Sequence, residues 1–205
     1  MATQRRHEQH VDEDLSELDL SQVELAQCTF VRCSLRAARL VEARVRGSTF
    51  VECDLRGANL SSCVFESTAI LQSRFGFTSM MGTVFRGCKL TGSTFDKQDL
   101  SLASVDEGDW SLVSLRECDL RGLSLRKVRL VDADLFGANL ERTDLRDADL
   151  SGANLSRVRL RDADLRGAVL DRVDLTELPL RGVRLDLQQA ALIVTALGAR
   201  IEGEP

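Results

Sequence analysis

The residue types that most often carry out chemistry are scarce in this chain of 205 residues, which has six cysteines and two histidines. Both histidines, His7 and His10, stand near the start. The spacing of Cys28 and Cys33 could suggest a metal pair, but no histidine accompanies them to complete a zinc site or to activate a thiol. A glycine–lysine phosphate-binding motif is also lacking. We therefore expect no metal, no cofactor and no catalytic residue, and the protein is not expected to be an enzyme.

Acidic residues are the other candidates for chemistry, and they are concentrated in residues 96–120, where seven acids face two bases. By contrast, residues 31–95 carry nine bases and four acids. Further along, acids alternate with arginines, as at Arg142, Asp144 and Arg146. Such ladders are typical of a solvated surface and not of paired catalytic carboxylates. The acidic patch comprises Asp96, Asp99, Asp106, Glu107, Asp109, Glu117 and Asp119.

The elements that must position these residues follow a period of five. From Leu15 to Leu185 all thirty-five positions divisible by five are apolar, and twenty-four of them are leucine. Neither the helical period of 3.6 nor the strand period of 2 produces this spacing. A strict period of five requires a chain that turns a corner in each repeat, so that one residue of every repeat faces a common axis.

The residue two positions before each centre is usually Ala, Cys, Ser, Thr or Val, and all six cysteines occupy this position. Alternation of a large and a small inward residue is what a narrow stacked tube requires. We therefore interpret the cysteines as small buried core residues.

Repeats such as Ala133-Asp134-Leu135 and Ala163-Asp164-Leu165 resemble those of the pentapeptide-repeat proteins. The resemblance implies an all-β fold, a right-handed quadrilateral β-helix with four repeats per coil. In such a coil Cys33 and Cys53 would stack about 4.8 Å apart, a distance that permits a disulfide. A cytoplasmic setting favours free thiols instead.

Three segments are expected: an N-terminal tail over residues 1–14, the β-helix over residues 15–185, and a C-terminal helix with its tail over residues 186–205. Residues 96–112 fit the pattern least well, because Gln98 and Gly108 occupy small-residue positions and Trp110 occupies a centre. A local distortion or kink is predicted there.

After Leu185 the chain acquires helical spacing, with Asp186 and Gln189 forming a capping-box pattern. The helix is apolar nearly all round, so one face can close the β-helix and the other predicts a two-fold dimer joined through the C-terminal ends. The alternative is a helix that only caps its own chain. The expected dimer interface comprises Leu187, Ala190, Ala191, Ile193, Val194 and Leu197.

The net charge of −5 argues against binding nucleic acid through a basic surface. No apolar run reaches membrane-spanning length, and the polar start lacks a signal-peptide core. A cytoplasmic protein without membrane contact is expected.

The unbroken repeats and the C-terminal helix are similar to those of the MfpA-like branch of the quinolone-resistance pentapeptide proteins, which is related to Qnr. This resemblance implies a dimeric DNA mimic that binds DNA gyrase, modulates supercoiling and lowers fluoroquinolone sensitivity. Nearly nine coils would span roughly 42 Å and a dimer roughly 85 Å, the length of about 25 base pairs. The alternative function is a pentapeptide-repeat scaffold or adaptor with an unrelated protein partner.

Overall fold

The computed structural model describes residues 4–202, which form a right-handed quadrilateral β-helix followed by one short α-helix. Paired residues are twenty positions apart and run parallel, as in Gln4 with Glu24 and Asp14 with Ser34. One coil therefore contains twenty residues, or four repeats, and residues 4–185 make about nine coils.

Each coil has four sides, which we number by the outward residue of the third coil. Side one carries Arg44, side two Thr49, side three Asp54 and side four Asn59. Residues twenty positions away from these lie on the same side in neighbouring coils. Sides two and four are opposite each other, because their residues are ten positions, or half a coil, apart.

Regular strands form on sides one and two of the first coils, and the remaining pairs are isolated bridges. The last two strands are longer because each continues around the corner between these sides. The strands are β1 (Gln4–Arg6), β2 (Gln9–Val11), β3 (Glu24–Ala26), β4 (Thr29–Val31), β5 (Arg44–Arg46), β6 (Thr49–Val51), β7 (Val64–Glu66), β8 (Ala69–Leu71), β9 (Val84–Lys89) and β10 (Ser104–Asp109).

The corners explain the Asp or Asn of the repeat. The side-chain oxygen of Asp54 accepts a hydrogen bond from the backbone N–H of Arg56 at 3.1 Å, and that of Asn59 accepts one from Ser61 at 3.0 Å. An Asx turn of this kind fixes the first corner residue. The second corner residue then has a positive φ, as at Gly57 with φ +73°, where glycine is the least strained residue.

The core lies along the axis of the coil. Every centre residue from Leu20 to Leu175 is buried, and equivalent side chains stack in successive coils. The rings of Phe30 and Phe50, for example, are 4.6 Å apart and nearly parallel. All six cysteines are buried and free, which confirms their interpretation as core thiols.

The expected N-terminal tail over residues 1–14 is wrong for the described part, residues 4–14. Strands β1 and β2 belong to the first coil and pair with β3 and β4. The imidazole of His10 occupies a centre position and stacks on Phe30, with ring centroids 4.9 Å apart.

The interior of the first coil is polar because this coil forms the end of the stack, where its inward side chains are exposed to solvent along the axis. His10 Nδ1 lies 2.8 Å from a carboxylate oxygen of Glu13, and His10 Nε2 lies 3.2 Å from one of Glu8. An Arg5–Glu8 ion pair at 3.6 Å completes the cluster. These inward polar side chains close the end of the apolar core and satisfy one another.

The predicted distortion near residues 96–112 occurs at Gln98 and not at Trp110. Gln98 Oε1 accepts from the backbone N–H of Thr78 at 3.1 Å, and Gln98 Nε2 donates to the Thr78 carbonyl at 2.6 Å. This long side chain takes the place of the backbone ladder, and within the described coils no bridge joins Ser79 to Asp99 on side four.

The coil then shifts at its next corner. Asp99 pairs forward with Asp119, whereas Ser104 pairs backward with Val84. On side one the described residues show no bridge between Ser104 and Ser124. Between side four and side one the chain therefore shifts away from the following coil and towards the preceding coil.

The helix α1 (Leu187–Ala196) closes the C-terminal end, and its capping box at Asp186 and Gln189 is present as the sequence predicts. The Asp186 carboxylate also accepts from the backbone N–H of Gly167 at 2.8 Å. In the body of the rod, the carbonyl of the next coil fills this role, as between Gly57 and Gly76. The start of the helix thus replaces one further coil.

Candidate functional site

Three of the six buried cysteines are held in the neutral thiol form by burial. Burial raises the pKa of Cys53 and Cys88 to about 11 and that of Cys118 to about 12. Each is therefore a neutral thiol at physiological pH, and a neutral thiol is a poor nucleophile and a poor metal ligand. Residues 4–202 contain no group of three side chains placed to hold a metal ion.

The acidic patch of the sequence does not form one surface, which corrects the expectation of a single patch. Asp99 and Asp119 lie next to each other on side four. Asp109 lies on side two, where its backbone forms a β-bridge with that of Arg129 in the next coil. Because ten residues amount to half a coil, the patch divides between opposite sides of the rod.

The two acidic groups are defined by their sides. The side-four group consists of Asp96, Asp99, Glu117 and Asp119, and the side-two group consists of Asp106, Glu107 and Asp109. In the side-four group Asp96 and Glu117 lie at the corner that precedes the side. In the side-two group Asp106 and Glu107 lie at the corresponding corner.

Three of these acids also build their own corners. Asp99 accepts from the backbone N–H of Ser101 at 2.9 Å, and Asp109 and Asp119 make the same contact two residues ahead. Partial burial acts to raise the pKa of Asp119, but the hydrogen bonds and charge of Arg121 outweigh it and leave the pKa below its usual value. The pKa of Asp109 is lowered as well, against the effect of its partial burial, by its hydrogen bonds from Ser111, so Asp109 and Asp119 are ionised at neutral pH.

Cations neutralise four of the seven acids at the surface. The shortest ion pair joins Asp119 to Arg121 at 2.7 Å. The others involve Asp106, Glu107 and Glu117 at 3.5 to 3.7 Å. Among the described residues Asp96, Asp99 and Asp109 form no such pair, so their charge is the most available to a partner.

The C-terminal helix presents most of its expected interface to solvent. Leu187, Val194 and Leu197 are 91%, 42% and 62% exposed, and Ala190 and Ala191 are half-buried. Ile193, in contrast, is only 3% exposed because it packs into its own coil. Its assignment to a dimer interface is therefore wrong.

Two further exposed apolar residues lie in this part of the chain but outside the expected interface, Leu192 within the helix and Ile201 beyond its end. Leu192 is 43% exposed and Ile201 is 54% exposed. Leu192 also lines an open groove of about 520 Å³ between the helix and Leu170, Val173 and Leu175. Apolar helix surface and apolar groove thus adjoin at this end of the rod.

The stacked coils define the class of protein: a β-solenoid with a capped core and a long outer surface. Its sequence fits the model named pentapeptide repeat region over residues 13–76 and the model of pentapeptide repeats over residues 114–152 and 148–186. The chain belongs to the pentapeptide-repeat family, whose members are generally non-catalytic scaffolds.

Solved structures of QnrB1 share this fold along nearly the whole chain. A trypsin-treated variant of QnrB1, a plasmid-mediated fluoroquinolone resistance protein, is 21% identical, with 97% of this chain and 100% of that chain covered and a TM-score of 0.68. Full-length QnrB1 is 20% identical, with coverages of 96% and 100% and a TM-score of 0.55. HetL, a pentapeptide repeat protein of Nostoc sp. strain PCC 7120, is 23% identical with coverages of 89% and 86% and a TM-score of 0.35.

No curated protein matches the chain in sequence. In residues 4–202 no helix has the length and apolar character needed to cross a membrane.

Proposed function

We propose that this protein is a non-enzymatic, DNA-mimicking rod that binds DNA gyrase in place of duplex DNA. Binding would modulate supercoiling and lower sensitivity to fluoroquinolones in the cytoplasm. The observation that carries the proposal is a regular rod with ionised carboxylates on two opposite sides at one level.

The shape of the rod supports this proposal. The twenty-residue register continues from the first coil to the last, so the body is about nine coils long, or roughly 42 Å at the strand spacing. The core is filled with stacked leucine and phenylalanine side chains, and a close-packed interior resists bending. A stiff rod can occupy a channel shaped for a stiff duplex.

The charge distribution supports it in a second way. In a duplex the two phosphate backbones face different sides of the helix, and a channel that encloses DNA carries cations around it. Asp99 on side four and Asp109 on side two lack an ion-pair partner among the described residues, so each is free to meet Lys or Arg of such a channel.

A dimer would double the length. The exposed apolar residues of α1, above all Leu187 and Leu197, adjoin the apolar groove at the C-terminal end. A two-fold contact there would bury both, and the rod would reach roughly 85 Å, or about 25 base pairs. QnrB1, which shares the fold, is itself described as a fluoroquinolone resistance protein.

The test is a supercoiling assay with purified gyrase, relaxed plasmid and increasing amounts of the protein. We expect inhibition of supercoiling, or a decrease in quinolone-induced cleavage, at a fixed ratio of protein to gyrase. Unchanged supercoiling and unchanged cleavage over a hundred-fold range of concentration would refute the proposal.

One observation favours the alternative of a scaffold or adaptor with an unrelated partner. Four of the seven candidate carboxylates are already paired with Arg or Lys of the same chain, which reduces the negative field that a DNA mimic presents. Pull-down with separate gyrase subunits discriminates between the two functions, because an adaptor for another protein would retain neither subunit.

The dimer has its own test. Leu187→Asp places a charge at a residue that is 91% exposed in the single chain, so it should abolish a dimer without unfolding the monomer. Leu112→Asp is the matched control, because Leu112 is 60% exposed on the body of the rod. Light scattering should give half the wild-type mass for the first variant and the wild-type mass for the control. Equal masses for all three proteins would favour a helix that only caps its own chain.

A further inference from the structure

Phe77 is the most exposed large apolar residue of the described chain, at 94%. It occupies the second position of a corner, and its backbone has φ +58°. At the equivalent corner of neighbouring coils the chain has Gly57 and Lys97. A phenylalanine at positive φ is strained and here gains no packing in return, so the fold by itself gives no reason for it.

Two further apolar residues lie at the other edge of the same side. Met81 is 62% exposed and Leu102 is 64% exposed. Both belong to the corner that follows side four, whereas Phe77 belongs to the corner that precedes it. Side four is therefore framed by large apolar side chains in the fourth and fifth coils.

Between these two edges the backbone ladder is interrupted. Ser79 pairs with Asn59 and Asp99 pairs with Asp119, but the described coils contain no bridge between Ser79 and Asp99. The side chain of Gln98 satisfies Thr78 at this position.

The same surface carries two carboxylates that form no ion pair among the described residues. Asp99 lies on side four and Asp96 on the corner that follows side three, and neither has an ion-pair partner within residues 4–202. An apolar anchor surrounded by charges that can be paired is the usual arrangement of a protein–protein hot spot.

We propose that Phe77, Met81, Leu102 and Asp99 form a docking surface, the side-four patch, through which the rod contacts its protein partner. The partner presents an apolar pocket for the Phe77 ring, bordered by Lys or Arg side chains that meet Asp99. This inference rests on the proposed function, since it adds an apolar anchor on side four to the charge contacts proposed for both sides of the rod.

A second copy of the chain does not fit this surface. A two-fold contact would use the same patch on both copies, so the carboxylates of Asp96 and Asp99 from both copies would enter one interface without an ion-pair partner. Like charges across an interface are unfavourable, and a basic partner is favoured instead.

The test compares Phe77→Ser with Leu112→Ser. Leu112 is also a second-corner residue, with φ +59°, but it follows side two and is 60% exposed. Binding of each full-length protein to immobilised gyrase is measured by surface plasmon resonance, and circular dichroism verifies that both variants fold. We expect the Kd of Phe77→Ser to rise at least ten-fold, as for a hot-spot residue, and that of Leu112→Ser to change less than two-fold.

The outcomes separate the two proposals. Wild-type protein that does not bind gyrase refutes the proposed function and, with it, this docking surface. Wild-type binding that Phe77→Ser leaves intact, or that both variants weaken equally, overturns the side-four patch and leaves the proposed function standing. As a second measurement, Asp99→Asn should weaken binding most at low salt, because a charge contact is screened at high salt.

Discussion

Gly108 should be the least replaceable glycine of the rod. It occupies an inward small-residue position but has φ +133°, a conformation that residues with a side chain rarely adopt. A Cβ atom added there would lie 2.4 Å from the carbonyl oxygen of Cys88 in the preceding coil. Both the conformation and the contact therefore oppose the substitution Gly108→Ala.

The magnitude follows from these two causes. Holding a residue with a side chain in such a region costs on the order of 1–3 kcal/mol. The contact is with backbone, which cannot rotate away as a flexible side chain would, so the two coils must separate. Separation weakens ladder bonds between these coils, such as that from the Leu90 N–H to the Asp109 carbonyl at 2.8 Å, each worth about 0.5–1.5 kcal/mol. We expect Gly108→Ala to lower the free energy of unfolding by about 3–5 kcal/mol.

Gly87→Ala is the matched control, because Gly87 lies in the neighbouring strand β9 at φ +55° with no atom within 4 Å of the added Cβ. Its strain of about 1–2 kcal/mol is partly offset by the lower entropy of the unfolded chain. Guanidinium unfolding followed by far-ultraviolet circular dichroism measures both variants. If the two lose stability within about 1 kcal/mol of each other, the close approach at Gly108 does not limit the packing of these coils.

Three further predictions concern the two ends and the core. Burial acts to lower the pKa of His10, but hydrogen bonds that the protonated imidazole donates to Glu13 and Glu8 outweigh it and raise the pKa above 6.5. The stabilisation is thus complete below pH 6.5 and is lost as pH rises through the folded-state value. Hydrogen exchange of the first coil should accelerate between pH 6.5 and 8 beyond the intrinsic rate, and His10→Phe should remove this dependence; an identical profile in the variant would contradict it. Asp186→Ala removes a helix N-cap, worth about 1 kcal/mol, together with the acceptor for Gly167, so exchange in α1 should rise, whereas Asp174→Ala should leave α1 protected. The six cysteines should resist a thiol reagent in the native protein and all react in guanidinium, because every one is buried and free; fast labelling of the native protein would show that the coils open.

Much of the rod could be predicted from residue types and spacing alone. A period of five can be satisfied only when equivalent side chains face one axis, so the buried set from Leu20 to Leu175 followed directly from position. The capping box at Asp186 and Gln189 was equally local, because it depends on residues within one turn of helix. The six core cysteines followed from the same frame.

The start of the rod could not be recognised by hydrophobicity. The frame of five does reach His10, which stands twenty residues before Phe30 and stacks on it. Its neighbours at inward positions are charged, however. An end coil is exposed to solvent along the axis of the rod and can therefore hold inward polar groups that bond to one another. The polar residues at inward positions of the five-residue repeat therefore belong to an end cap of the rod and not to a tail.

The candidate surfaces depended on how the coils stack. Asp99 and Asp109 are close in sequence, yet half a coil places them on opposite sides, while Asp99 and Asp119 become neighbours. Ile193 and Val194 are adjacent in the helix, but only docking against the last coil determines which of them is covered.

The repeat, the inward residues and the closing helix could be predicted from residue types alone, because each depends on the chemistry of residues a few positions apart. The stacking of the coils was needed to establish which outward residues share a side, where the ladder is interrupted at Gln98, and that Phe77 is exposed at the edge of side four. Surface neighbours come from adjacent coils, in which equivalent residues are twenty positions apart in sequence. Small inward differences, such as one long side chain in place of a short one, shift those coils relative to each other.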